Sequence, residues 1–419
     1  MSISNSREFL EDLVASGDYV VTEHLVAGQN VQLVPGTYPP PNWDDYPYTV
    51  DSVTFTGTAG RDALFGGGGE AFAFFKGTRG DDLYGVGPSP DVFVSAYVDY
   101  SKARTGVLVD MTYHGSRTFT DAGGDTRTVN VVGKAHDGFG GTDYFAESAE
   151  DWNAGYSSIV GVFGSSHRDV MIEGGSWDFY GGGGNDLMIG GFSHGGTGND
   201  KLVGRSVDGS SVVLFGDEGN DTIFGTDGPG RTDVYLVGGA GHDRIFAGAG
   251  DDTYLTGDAG NDYIDAGAGN DFMDGGVGRD VLVSGSGNDI INPDVEFFQL
   301  DPTQARDGVR DVIKVTRDDL GDFNDVVLSR AFEAGRDQIR FADAVRGGAD
   351  FRVYQEDLSI NPDTGRLFRS DDQAGLINTV LQIDQNGNGL GDAASPDTGD
   401  YFLFVLDADL SLRDGFVLT

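Results

Sequence analysis

Between residues 266 and 291 the chain reads AGAGNDFMDGGVGRDVLVSGSGNDII. An aspartate returns every nine residues, at Asp271, Asp280 and Asp289, each two places after a glycine and just ahead of a short apolar run. A fixed period of this kind marks a repeat architecture, in which each copy is one small structural unit that buries its apolar face only against its neighbours. The template is Gly-Gly-x-Gly-x-Asp-x-U-x, with U a large apolar residue. Partial copies stand at GTAGRDALF (57–65), GTRGDDLYG (77–85) and GSSHRDVMI (164–172). Better ones follow at GGGGNDLMI, GGTGNDKLV and GDEGNDTIF, with an irregular GPGRTDVYL at 228–236. Six more run almost without gaps from 238 to 292, and after that the glycine repeats stop.

A parallel solenoid explains the period. Six residues of the template make a sharp turn and three make a short strand. Glycine in the turn permits positive φ and close approach of one turn to the next. Two repeats make one coil of about 18 residues, with a turn on each edge, and U points inward at Ile245, Tyr254, Ile264, Met273, Leu282 and Ile291. Aspartates two repeats apart then lie on one edge, separated by one strand spacing, ~4.8 Å. One edge carries Asp200, Asp221, Asp243, Asp262 and Asp280, and the other Asp233, Asp252, Asp271 and Asp289. Asp186 belongs to the copy before the first of these. Paired carboxylates and turn carbonyls around one point form an oxygen-only ligand set, which is the preference of Ca²⁺. The glycines assigned to these turns are Gly239, Gly241, Gly248, Gly250, Gly260, Gly267, Gly269, Gly276, Gly278 and Gly287.

The composition agrees with a metal partner. There are 68 acids against 27 bases, a formal net charge of −41. Such charge repels itself in a compact state and argues against nucleic acid or anionic membrane as partners. Glycine makes up 68 of 419 residues, about twice the usual share of roughly 7%, so the folded chain needs support beyond its own core. With no cysteine, disulfides and thiolate metal sites are excluded. The first 25 residues lack the basic start and apolar run of a cleaved signal peptide, and no stretch reaches the ~18 apolar residues of a membrane helix.

Outside the repeats, SREFLEDLVA (6–15) has the pattern of a short amphipathic helix, and 18–57 reads as short strands around a proline-rich loop. Residues 293–419 have the alternating and continuous apolar runs of a β-rich region. The expected domains are therefore 1–57 (N-terminal helix and β cap), 58–180 (irregular β-helix), 181–292 (calcium β-roll) and 293–419 (β-rich C-terminal cap and secretion region).

The repeats GGAGHDRIF through SGSGNDIIN resemble those of the RTX (repeats-in-toxin) family. The resemblance implies a calcium-loaded parallel β-roll in which the repeat aspartates and the turn backbone bind Ca²⁺. VDYSKARTGVLVDM (98–111) and SSIVGVFGSSHRDVMIEGG (157–175) are similar to segments that lead into such blocks, and RDVIKV and RDQIRF to the cap and export region behind them. The ending LSLRDGFVLT is similar to that of type I secretion substrates. The likeness covers about 57–419.

A second calcium candidate is DQNGNGLGDAASPD, in which Asp384, Asn386, Asn388 and Asp392 match the start of a D-x-N-x-N-G loop. Ser395 stands where that loop carries its glutamate, and a simple turn is the other reading. No H-E-x-x-H is present. GFSHG (191–195) matches G-x-S-x-G around Ser193, but it falls within the repeats without a strand–turn–helix context. His167 and His242 precede repeat aspartates, as exposed turn residues would.

These readings converge on an all-β fold: a parallel β-helix/β-roll solenoid with a short N-terminal helix and a β-rich C-terminal cap. The expected function is a secreted calcium-binding structural protein of the cell surface or extracellular matrix (surface layer, filament or adhesin), without enzymatic activity. It would fold and self-assemble on binding several Ca²⁺ ions. Copies of itself and cell-surface polysaccharide are the expected partners, with no nucleic acid and no membrane insertion. The alternative is a secreted carbohydrate-active enzyme with an RTX β-roll.

Overall fold

In the computed structural model, side chains are described for residues 74–85, 96–118, 128–147, 159–172, 177–205, 211–226, 235–293, 309–314 and 337–340, with Thr56 and Ala59, and flanking strands as backbone. The proposed helix at 6–15 lies outside the described residues. Every regular element among the described residues is a strand, and none is a helix long and apolar enough to cross a membrane. By contacts the chain divides into two units, 1–198 and 199–419.

In the second unit, short parallel strands stack into two facing sheets. One contains Lys201–Gly204, Thr222–Phe224, Arg244–Phe246, Tyr263–Asp265, Val281–Val283, Val312–Val315 and Gln338–Phe341, each paired in parallel with the next. The other contains Val213–Glu218, Tyr235–Gly241, Leu255–Gly260, Phe272–Asp274 and Ile290–Asn292. Period-2 alternation sends the middle residue of each three-residue strand inward. Ile223, Ile245, Ile264 and Leu282 form one inward row and Leu214, Leu236, Leu255, Met273 and Ile291 the other, all 0% exposed. The stack continues past residue 292, because Ile313 sits in register with Leu282 and Ile339 with Ile313.

One inward assignment is corrected. Leu255, not Tyr254, fills the core, paired with Leu236 on one side and Met273 on the other. Tyr254 lies on the outer face, its ring 5.3 Å from Tyr235 and 6.4 Å from Phe272. This copy has one extra residue between its aspartate and its inward position, which leaves the tyrosine hydroxyl near water and the leucine dry. Leu255→Ala is therefore expected to destabilise the calcium-loaded protein by roughly 2–5 kcal/mol, and Tyr254→Ala by about 1 kcal/mol or less. Chemical denaturation in calcium checks this; the reverse order would move Tyr254 back to the core.

The first unit follows the same plan with an insertion. Ser52–Thr56, Phe72–Lys76, Ser95–Asp99, Ser158–Phe163, Asp178–Tyr180 and Phe192–Thr197 pair in parallel. They bury Phe75, Val98, Val162 and Phe179. In the opposite sheet Ala63–Gly66, Leu83–Val86 and Thr142–Ala146 are parallel, as are Leu108–Asp110, Val170–Ile172 and Leu187–Gly190. Between these two sets lies Thr126–His136, antiparallel to both neighbours and forming a hairpin with Gly115–Thr120.

Candidate metal centre

Asp186, Asp200, Asp221, Asp243, Asp262, Asp271, Asp280 and Asp289 each sit immediately before a strand, and Asp252 stands three residues ahead of Leu255–Gly260. Parallel stacking then places the aspartates of one edge directly above one another. In the second unit the backbone amide of one aspartate donates to Oδ1 of the aspartate in the next coil. Asp200 donates to Asp221 at 2.6 Å, Asp221 to Asp243 at 2.7 Å, and Asp243 to Asp262 and Asp262 to Asp280 at 2.8 Å each. On the other edge Asp252 donates to Asp271 and Asp271 to Asp289, both at 2.8 Å. Asp233 lies outside the described residues. In the first unit Asp186 Oδ1 accepts the Asp169 amide at 2.7 Å.

A second ladder runs in the opposite sense along the surface, one residue earlier in each copy. The Asn220 amide donates to Asn199 Oδ1, the His242 amide to Asn220 Oδ1, and the Asn261 amide to His242 Nδ1. His242 thus takes an asparagine's place in this exposed row, as an acceptor at Nδ1.

The ladder aspartates are 0 to 3% exposed. Oδ1 is satisfied, but Oδ2 of Asp221, Asp243 and Asp262 is buried and receives no hydrogen bond. Each Oδ2 faces a carbonyl. A Cβ built on Gly257 would meet Asp262 Oδ2 and the Gly275 carbonyl oxygen at 2.5 Å each, and Gly216 and Gly238 are flanked in the same way. Two acceptors facing each other out of water repel and are costly to leave uncompensated. Burial, the largest cause, pushes the carboxyl of Asp221 up to about 8, Asp243 to about 6 and Asp262 to about 7; hydrogen bonds from the coil before partly oppose this, and neighbouring carboxylates add to it.

Two further acids stand in these turns. Asp217 and Asp258 have φ of 69° and 64°, the left-handed region. Aspartate tolerates that region better than most residues because its side chain bonds locally; here the Thr256 hydroxyl donates to Asp258 Oδ1 at 2.8 Å. Of the assigned glycines, Gly239, Gly241, Gly248, Gly250, Gly267, Gly269, Gly276, Gly278 and Gly287 have φ between +89° and +149°. Gly260 is needed for room: a Cβ there would lie 1.4 Å from the Gly241 carbonyl oxygen.

The ladder includes residues not assigned from the repeats. The Asp280 amide donates to Asp311 Oδ1 at 2.8 Å and the Asp311 amide to Asp337 Oδ1 at 3.0 Å. In the first unit Asp82 and Asp143 form an equivalent rung at 3.0 Å. The signal was the D-x-U core of RDVI, RDQI and TDYF, without the full set of glycines. Asn386, Asn388 and Asp392 lie outside the described residues, as does the side chain of Asp384. Ser193 is 0% exposed, inside the solenoid beside Phe179, where its hydroxyl is closed off from solvent.

The geometry suits a hard divalent cation. Among the described residues no cluster of three or more Asp, Glu, His or Cys side chains could hold a metal, so the ligand set must be rich in backbone oxygen. Asp221, Asp243 and Asp262 Oδ2, with the Gly238, Gly257 and Gly275 carbonyls, supply such oxygens. The second unit's repeats thus form a parallel β-roll, and their turns are built to take an ion that accepts many oxygen ligands. The family model of the RTX calcium-binding nonapeptide repeat matches four copies, at residues 54–70, 208–229, 235–258 and 256–291. The chain carries RTX calcium-binding nonapeptide repeats at these residues, and such repeats bind calcium. No curated protein matches the chain.

Proposed function

We propose that this is a secreted structural protein of the cell surface or extracellular matrix, which folds on meeting calcium outside the cell and then associates with its own copies. The observation that carries this reading is the set of buried Oδ2 atoms of Asp221, Asp243 and Asp262, which lack any donor. Their fold is favourable only where the ion is abundant, and extracellular calcium modules bind at about 10⁻⁴–10⁻³ M. The absence of cysteine suits a chain exported without disulfide formation. Ion binding lowers the self-repulsion of a −41 chain. Tyr235, 40% exposed, with Tyr254 and Phe272 beside it, gives the second unit an uncharged aromatic stripe suited to homotypic contact. The reading assigns the chain no reaction.

Electron microscopy and light scattering of the purified chain test the assembly. Ordered sheets or filaments are expected in millimolar calcium and dispersed particles in chelator. A strictly monomeric particle in calcium at high concentration would overturn self-assembly.

A further inference from the structure

The inserted hairpin of the first unit interrupts the aspartate ladder. On its far side the coil at 106–110 carries Val107 where an aspartate would stand; the Val107 amide donates to Asp169 Oδ1 at 2.6 Å, as the ladder amides do. On its near side the chain turns through residues 137–141 before rejoining the Leu83–Val86 strand. This turn places three carboxylates out of water: Asp82, Asp137 and Asp143 are each 0% exposed.

Two of the three are satisfied by donors. Asp143 accepts the Asp82 amide at Oδ1 and the Tyr100 hydroxyl at Oδ2, at 3.0 and 2.8 Å. Asp82 Oδ2 accepts the Thr78 hydroxyl at 3.0 Å and the Tyr84 hydroxyl at 3.4 Å. Asp137 differs. Its Oδ1 gathers the amides of Phe139, Gly140 and Gly141 at 2.8, 2.8 and 2.9 Å, but its Oδ2 is buried and receives no hydrogen bond. A Cβ on Gly141 would lie 1.6 Å from the Gly80 carbonyl oxygen and 2.8 Å from Asp137 Oδ2. These two acceptors therefore face each other across one glycine, the pairing that Asp262 Oδ2 and the Gly275 carbonyl make across Gly257.

No base forms an ion pair with Asp137 among the described residues. Arg79 adjoins Gly80, and the Arg104 amide donates to the Gly138 carbonyl at 3.3 Å, but both residues are exposed to water, where their charge is screened. A buried carboxylate oxygen opposite a carbonyl needs a cation between them or a proton on one.

We propose that Asp137 Oδ2 and the Gly80 carbonyl are ligands of a calcium site in the first unit, outside the matched repeats. The ion replaces the rung that the hairpin removes and fastens the 137–141 turn to the coil before it. Both donors are hard oxygens, and water completes the shell, as Ca²⁺ permits. The choice of ion rests on the calcium reading of the ladder.

The test uses the full chain and its Asp137→Asn variant, with Asp262→Asn as the ladder control. Asparagine keeps the Oδ1 acceptor, and its amide nitrogen can donate to the Gly80 carbonyl, so the fold is retained while the charge is lost. Equilibrium dialysis against ⁴⁵Ca counts bound ions. Asp137→Asn is expected to bind one ion fewer than the wild type, with an unchanged β spectrum. Full ion binding by Asp137→Asn, with an ion lost in Asp262→Asn, overturns this site and leaves the ladder standing. Full binding by both variants overturns the ladder reading itself. Should Asp137→Asn fail to fold, Asp137→Ser, which also offers an oxygen to the turn amides, is measured in the same way, and full binding by it overturns the site.

Discussion

In chelator at pH 7.5 the repeat region of the second unit is expected to lose its β spectrum, and to regain it either on calcium addition or on acidification. Asp221, Asp243 and Asp262 have carboxyls raised to about 8, 6 and 7 in the metal-free fold, chiefly by burial, against about 3.9 in an unfolded chain. Between these values the folded state binds more protons than the unfolded one. Stability without metal is therefore fullest below about pH 4 and falls as pH rises through about 6 to 8. Counting only one pKa unit for each of the three, to allow for solvent screening, the loss is about 4 kcal/mol. Calcium supplies at neutral pH what protons supply in acid. The described rungs of the second unit number eight. With one ion each, at a free concentration tenfold above Kd, they would add about 1.4 kcal/mol apiece, about 11 kcal/mol together. That is comparable to the whole stability of an ordinary domain. Circular dichroism and melting curves decide the matter; an identical spectrum and melting temperature in chelator at pH 7.5 would sink the coupling of fold to metal.

Gly278→Ala is expected to be the most damaging single substitution in the roll. Gly278 has φ of +142°, and a Cβ there would lie 1.4 Å from the Gly260 carbonyl oxygen and 2.6 Å from its carbon. Both obstacles are backbone, so no side-chain movement relieves them. The coil would have to separate from its neighbour, at the edge where Asp262 and Asp280 meet. A loss above about 4 kcal/mol is expected, read as a shift of at least tenfold in the calcium concentration at half folding. Val277→Ala is the control, since Val277 is 53% exposed and should leave that midpoint near the wild-type value. A wild-type midpoint for Gly278→Ala would mean that the coils are not packed as described.

Much of the second unit was legible because its code is local. The separations between Asp200, Asp221, Asp243, Asp262 and Asp280 can be counted along the chain, and the inward Ile245, Ile264 and Leu282 follow two places after an aspartate. Legibility failed where the spacing slipped. Tyr254 satisfies the D-x-U count, yet one added residue turns Leu255 inward, and no propensity separates two large apolar neighbours. Asp311 and Asp337 were harder to read because their turns carry single glycines, Gly308 and Gly335, in place of the full set. The rung between Asp82 and Asp143 spans 61 residues and a hairpin; only the folded chain shows that these two turns are neighbours. Asp217 and Asp258 stand where the template has its second glycine, and they adopt the left-handed backbone that position requires while adding carboxylates to the turns.

The central claim is that calcium sits between coils, against the unsatisfied oxygens of the aspartate ladder. Anomalous diffraction from crystals of the calcium-loaded protein tests this most directly. Ions are expected along the edge of the second unit, about 2.3–2.6 Å from Oδ2 of Asp221, Asp243 and Asp262 and close to the carbonyls of Gly238, Gly257 and Gly275. Peaks found only at other acids on the surface, with these three oxygens uncoordinated, would contradict it.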